Sequence, residues 1–308
     1  MTEAPASRAP YGNVAVVVAI LAVSTGSIFI RYSESGPLTV SFYRLLFTTL
    51  ILVPWVMFRN LAELAKLRAR DVAKLAAIGL VLAMHFSLWV TSLAPGMTSV
   101  ANSTVLVTTH PLFVALIAAL FLKERTGKVA ILGGLLAVVG VFIMLWGGLS
   151  QGSFLGDVLA FGGALAAGTY IVAGRSERKK LSTGTYCLVV YGFATLFLIP
   201  GAFIESGFAP ASSNDWLLFI LMGAIPGILG HTMYNYALGK VNAFVVSTSL
   251  LGEPVLSSLM AFALFAEGVT MWTIVGAPLI FLGIVLAAKG SSNKKAARPP
   301  PKESYPNS

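Results

Sequence analysis

The chain has 308 residues, 56% of them hydrophobic and 11% charged, with a formal net charge of +9 at pH 7, and its mean hydropathy is +0.84. About a quarter of the residues in a soluble domain are charged, so this composition excludes one and points to a chain embedded in a lipid bilayer. The positive charge does not imply a nucleic-acid partner, because the basic residues sit beside apolar windows, where they orient a membrane protein.

Residues 1–12 read as an N-terminal tail. MTEAPASRAPYGN has Pro5, Pro10 and a single Arg8, without the basic segment and small-residue cleavage site of a leader. VAVVVAILAVSTGSIFI therefore reads as a first span. A span needs about 20 mainly apolar residues, and the chain supplies ten such windows: 13–31, 38–58, 72–92, 98–121, 128–147, 155–174, 184–204, 215–237, 242–265 and 271–288. The expected fold is an all-α integral membrane protein of ten transmembrane helices. Residues 289–308, basic and rich in Pro and Ser, read as a disordered cytoplasmic tail.

The first window carries STGS, where Gly26 brings near-bare backbone to a neighbour and Ser27 offers a hydroxyl; close packing alone is the competing reading. Arg44, after Phe42 and Tyr43 in the second window, could meet a substrate carboxylate, but snorkelling toward headgroups or pairing across the short first loop is the stronger expectation. The third window holds HFSLWVTS, placing His85, Trp89 and Ser92 on one helical face. Amphipathic aromatics of this kind suit a ligand with an apolar body and a zwitterionic head, or serve as packing and interfacial belts.

The fourth window puts His110 and Pro111 in mid-span. Pro111 removes the usual donor for the carbonyl of Val107 and loosens the helix; His110 is either a cavity group or a core histidine bonded to backbone. The sixth window, GGALAAGTY, places Gly168 and Thr169 where Gly26 and Ser27 stand in the first. Cys187, the single cysteine, excludes an intramolecular disulfide. In the eighth window GAIPGILG, with Pro226 and Gly227, predicts a kink or hinge, and HTMYNYAL puts His231, Tyr234, Asn235 and Leu238 on one face. The ninth carries Glu253 near mid-membrane beside Pro254, which frees the carbonyl of Leu250. A charge at that depth costs about 2.5–3.5 kcal/mol and faces a cavity or a partner; a neutral glutamate that only fixes packing is the alternative. Glycines two turns apart in the fifth and tenth windows read as packing.

Every basic residue except Arg31 and Arg44 falls beside alternate loops or tails, whereas Glu34, Glu205, Asp215 and Glu267 fall on the other side. By the positive-inside rule both termini are cytoplasmic. The halves also match. THPLFVALIAALFLKERTGKVAILGGLLAVVGVFIML aligns without a gap on GEPVLSSLMAFALFAEGVTMWTIVGAPLIFLGIVLAA, pairing Pro111 with Pro254, Glu124 with Glu267, Gly133 with Gly276 and Gly140 with Gly283. Residues 13–147 and 155–288 thus read as two five-helix repeats. Five is odd, so the copies enter the membrane from opposite sides, the inverted-repeat pattern of secondary transporters with a midplane site at the repeat interface.

The doubled pattern, its P-x-x-x-A…(L/F)-x-E block and the F-Y-R opening the second helix resemble the drug/metabolite transporter superfamily, its ten-helix EamA-type exporters and, within them, the bacterial aromatic amino-acid exporters of the YddG kind. The resemblance implies a ten-helix basket in a bacterial inner membrane that moves amino acids or related metabolites outward. One departure is that His110 stands where the second copy has Glu253, so the copies are not chemically equivalent.

The expectation is a secondary exporter of aromatic or broadly neutral amino acids, with a cavity formed by Gly26, Ser27, His85, Trp89, His110, Gly168, Thr169, Tyr234, Asn235 and Glu253 and hinges at Pro111, Pro226, Gly227 and Pro254. Efflux of drugs or other metabolites, with or without proton coupling, is the alternative; a channel is a further one. No P-loop, no G-x-S-x-G and no H-E-x-x-H occurs, so neither ATP hydrolysis, a catalytic triad nor a metal or other cofactor is implied. The partners implied are a small-molecule substrate and the bilayer, with the oligomeric state open and a monomer compatible.

Overall fold

The computed structural model describes residues 9–98, 100–122, 127–146, 153–265 and 269–296, and among these the regular structure is helical. In chain order the helices are α1 (Ala9–Val23), α2 (Gly26–Tyr32), α3 (Pro37–Arg59), α4 (Leu61–Leu64), α5 (Ala69–Ser92), α6 (Val100–Val107), α7 (His110–Ile117), α8 (Lys128–Trp146), α9 (Phe154–Glu177), α10 (Thr183–Ser206), α11 (Asn214–Met222), α12 (Met233–Leu238), α13 (Ala243–Ser249), α14 (Glu253–Phe265) and α15 (Met271–Ala296). Among the described residues, eight helical stretches are long and apolar enough to cross a bilayer, and two shorter apolar ones, Ser103–Ile117 and Lys128–Met144, accompany them. Outward-facing apolar side chains such as Phe58, Phe154, Ile204 and Leu229 are exposed, as a lipid-facing surface requires.

Local chemistry sets the helix ends. Pro37 follows the extended Gly36 at the start of α3, a position where a missing N–H leaves no intrahelical bond unmade. Ser182 caps α10, its hydroxyl accepting from Thr185 N at 3.2 Å, and Gly207 ends that helix at φ 59°, a left-handed conformation that favours glycine.

Three of the expected windows are interrupted. The first breaks at Ser24 and Thr25, between α1 and α2, and the Ser257 hydroxyl donates to the Ser24 carbonyl at 3.0 Å. The fourth breaks at Thr108 and Thr109, the ninth by a single 3-10 turn, Leu250–Gly252. Pro111 and Pro254 each lie in the first turn of the helix that follows, α7 and α14, where proline is tolerated. GAIPGILG does not break its helix: Gly223–Thr232 is wound as a π-helix with Pro226 inside it. The wider turn accommodates a residue that cannot donate to the ladder, and it changes which side chains share a face. The C-terminal segment also differs from expectation, since α15 continues to Ala296, through residues read as tail. Glu124 and Glu267, the paired acidic residues of the alignment, lie outside the described residues.

The packing is antiparallel along α8 and α15, with glycines letting the backbones touch. A Cβ at Gly133 would meet Gly283 O at 2.6 Å, and one at Gly140 would meet Gly276 O at 2.7 Å; conversely, Gly283 approaches Gly133 O and Gly276 approaches Gly140 O. Elsewhere α3 lies along α10, α5 along both α9 and α10, and α1 along the π-helical segment and α12.

Candidate functional site

Between these helices lies a cavity whose wall comes from six parts of the chain: Val23 of α1, Arg44 of α3, Leu82, His85 and Trp89 of α5, Val107, Thr108 and His110 at the α6–α7 break, Ala167, Tyr170 and Ile171 of α9, and His231, Tyr234, Leu250 and Glu253 from the C-terminal half. The space that protein atoms leave unfilled between these residues, open solvent included, is roughly 570 Å³.

Aromatic rings order the α5 side. His85 stacks on Trp89 with centroids 6.0 Å apart and 12° between planes, and Phe86, one residue along, meets His231 edge-on at 5.3 Å. His85 Nδ1 lies 2.9 Å from the Gly163 carbonyl; a carbonyl only accepts, so this nitrogen carries the proton and fixes the ring's orientation. The Arg44 guanidinium lies 4.3 Å from the Phe86 ring centroid and 5.7 Å from that of Trp89.

Of the residues expected at a cavity, His85, Trp89, His110, Tyr234 and Glu253 belong to this wall. The others do not. Thr169 turns outward and donates to the Leu165 carbonyl at 2.9 Å, leaving its neighbour Tyr170 to face inward. Gly168 is a packing position, where a Cβ would lie 2.8 Å from that of Phe113. Gly26 lies against Pro226, and Ser27 is buried outside the wall. Asn235 sits behind the wall: its Nδ2 is 2.7 Å from Tyr170 Oη, 2.9 Å from Tyr191 Oη and 2.8 Å from the His231 carbonyl. Pro111, Pro226, Gly227 and Pro254 are likewise not among the lining residues.

Arg44 is the principal residue that sequence reasoning misplaced. It neither snorkels nor pairs across the first loop but is 2% exposed and lines the cavity. Its position two turns into α3, facing the Phe86–Trp89 surface, is visible only once α3 and α5 are packed. The signal available in the sequence was its distance from Pro37, long enough to carry the side chain below the membrane face.

Four wall residues hold buried polar atoms without hydrogen-bond partners: Arg44 Nη1, Trp89 Nε1, His110 Nδ1 and Tyr234 Oη. Leaving a buried polar group unsatisfied costs about 1–3 kcal/mol, so four such groups on the residues of one wall favour a polar ligand or water there. Among the described residues no cluster of three or more His, Cys, Asp or Glu side chains is arranged to hold a metal ion.

A model of the EamA-like transporter family matches residues 10–146 and again residues 154–289. The chain belongs to the EamA-like transporter family. It is a multi-pass membrane protein built from two copies of the family unit. An uncharacterized transporter of Archaeoglobus fulgidus is 26% identical over 281 residues, covering 90% of this chain and 96% of that protein. A probable terminal-alkyne amino-acid exporter of Streptantibioticus cattleyicolor is 25% identical over 223 residues, 71% of this chain and 74% of that one. A crystal structure with 18% sequence identity superposes at a TM-score of 0.73, covering 92% of this chain and 98% of that one, and supports the fold alone.

Proposed function

We propose that this transporter is a secondary exporter of amino acids, aromatic or broadly neutral, in a bacterial inner membrane, working by alternating access at the cavity described above. The observation that carries the reading is the composition of that wall. One buried arginine and one buried glutamate face a space otherwise lined by aromatic and aliphatic groups, with four unpartnered polar atoms among them. An amino acid has the matching parts: a carboxylate, an ammonium and an apolar or weakly polar body.

Ten membrane crossings in two inverted halves complete the proposal. The family unit recurs twice, and the α8–α15 contacts support a two-fold relation. Exchanging Gly133 with Gly276 and Gly140 with Gly283 turns the Gly133–Gly283 contact into the Gly276–Gly140 contact. The same exchange turns the α5–α9 packing into that of α12 and the π-helical segment on α1. By the positive-inside rule the basic loops favour cytoplasmic termini. The likeness to aromatic amino-acid exporters and the exporter among the relatives favour outward amino-acid transport.

Counterflow in proteoliposomes tests the reading. Vesicles preloaded with unlabelled tryptophan, phenylalanine or threonine should accumulate the labelled compound without an imposed gradient. Movement of hydrophobic cations alone would replace the reading with drug efflux. Glu253 in the wall favours a second reading, proton coupling; amino-acid flux that vanishes without a pH gradient would select it.

A further inference from the structure

We propose that Arg44 is the anchor for a carboxylate on the transported molecule, held in an aromatic cradle by Phe86 and Trp89. The assignment rests on the transport reading above and adds to it the group that recognises the substrate.

The protein contains its own comparison. Arg178, also buried, satisfies its guanidinium on the protein: Nε donates to the Asn235 carbonyl at 3.0 Å, Nη1 to the Leu181 carbonyl, and Nη2 to Thr183 Oγ1 at 2.5 Å. That is the arrangement of an arginine that ties loops and helices together. Arg44 differs. It is 2% exposed, Nη1 is buried with no partner, and the side chain lines the cavity.

The Phe86 and Trp89 rings and the electrostatic attraction of Glu253 hold the charge while Nη1 keeps no hydrogen-bond acceptor on the protein. A guanidinium lying over rings gains cation–π stabilisation through its face and keeps its N–H donors in the plane, where a carboxylate binds through two parallel hydrogen bonds. The nearby Trp89 Nε1, a donor without an acceptor, suits the same anion. Glu253, on the wall contributed by the C-terminal half, is available to the ammonium of a zwitterion. The ligand class is therefore a carboxylate-bearing solute, and within the transport reading an α-amino acid.

The test uses the full chain, wild type and Arg44→Gln, with Arg44→Lys as the charge-retaining variant. Three ring-matched probes are compared by counterflow and by thermal melting in detergent: phenylalanine, 3-phenylpropionate, which lacks the amine, and phenethylamine, which lacks the carboxylate. The expected result is that Arg44→Gln raises the half-saturating concentration of phenylalanine about 10-fold or more, that Arg44→Lys falls between, and that phenethylamine responds to neither change. Unchanged half-saturation for phenylalanine in Arg44→Gln overturns the anchor and leaves amino-acid transport standing. Wild-type movement of 3-phenylpropionate but not phenylalanine, lost in Arg44→Gln, supports the anchor and overturns the amino-acid reading. Should Arg44→Gln fail to fold, wild-type melting decides: stabilisation by the two carboxylates over phenethylamine supports the assignment, and stabilisation by neither carboxylate overturns it.

Discussion

Glu63 and Glu205 stand at opposite ends of the antiparallel α3–α10 pair, and each carboxylate caps the start of the other half's helix. Glu63 accepts from Ser182 N at 2.8 Å, from Thr185 Oγ1 at 2.6 Å and from the Ser182 hydroxyl, all at the start of α10. Glu205, at the end of α10, accepts from Leu38 N at 3.2 Å and Thr39 N at 2.7 Å at the start of α3. Carboxylates at helix N-termini satisfy orphan N–H groups and oppose the positive end of the dipole.

Glu63 makes the pair sensitive to acid. Burial raises its pKa, but the hydrogen bonds from Ser182 and Thr185 outweigh that and hold the carboxyl below its ordinary value of 4.5. A carboxyl depressed in the folded state contributes stability above its unfolded pKa and loses it as pH falls through the folded one. Glu63→Gln should therefore lower the melting temperature at pH 7, by an amount equivalent to about 1–2 kcal/mol. The gap between variant and wild type should close as the pH is taken below 4.5. Melting curves across that range check it; a gap independent of pH would mean that the carboxylate's charge is not what Glu63 contributes.

Because both clasps are closed in the same conformation, α3 and α10 are expected to move as one body. Joining Leu38→Cys to Gly201→Cys, where a Cβ at Gly201 would lie 3.6 Å from that of Leu38, within the span of a disulfide, should leave counterflow within about twofold of the reduced protein, a loss of less than about 0.5 kcal/mol in the transport barrier. The native Cys187 is fully buried and spared by the oxidant. Arrest of transport on oxidation, reversed by reductant, would show instead that the two helices separate during the cycle.

The glycine seam between α8 and α15 has little room for a methyl group. At Gly140 a Cβ would press on Gly276 O at 2.7 Å and Ile280 N at 2.9 Å; at Gly283 it would meet Ala137 N and Gly133 O, both at 2.5 Å. These neighbours are backbone and cannot turn aside. Gly140→Ala and Gly283→Ala should each destabilise by about 1–3 kcal/mol. Gly192→Ala, whose nearest contact would be Thr49 Cγ2 at 3.9 Å, should be neutral in the same melting assay.

That seam was legible in the sequence, because glycines recurring at matched positions in two apolar windows leave few uses besides close packing. The doubled unit was legible for the same reason. Face assignments were less so. Thr169 and Tyr170 are adjacent, and a one-residue error in helix rotation exchanges lipid for cavity. In HTMYNYAL the expected face of His231, Tyr234 and Asn235 assumed a 3.6-residue period, yet Gly223–Thr232, which includes the first two residues of that stretch, is π-helical. His231 and Tyr234 line the cavity whereas Asn235 turns to Tyr170 and Tyr191. For Arg44 a substrate carboxylate ranked below snorkelling or loop pairing, because depth along one helix says nothing of the Phe86 and Trp89 rings that a second helix brings over it.

Asn235 supports the wall from behind. Its Nδ2 group engages the Tyr170 and Tyr191 hydroxyls in a fully buried setting, so Asn235→Leu leaves two phenols without that donor and should cost about 1–3 kcal/mol. Tyr170→Phe removes one hydroxyl while keeping the ring, and Asn235 retains Tyr191 and the His231 carbonyl as acceptors; the expected loss is about 1 kcal/mol. The Tyr170 hydroxyl turns back to Asn235, and Tyr170→Phe keeps the ring at the cavity, so both substitutions should act on the melting temperature and leave the ranking among substrates in counterflow unchanged. A changed ranking in either variant would place that polar group in contact with the ligand and contradict the geometry.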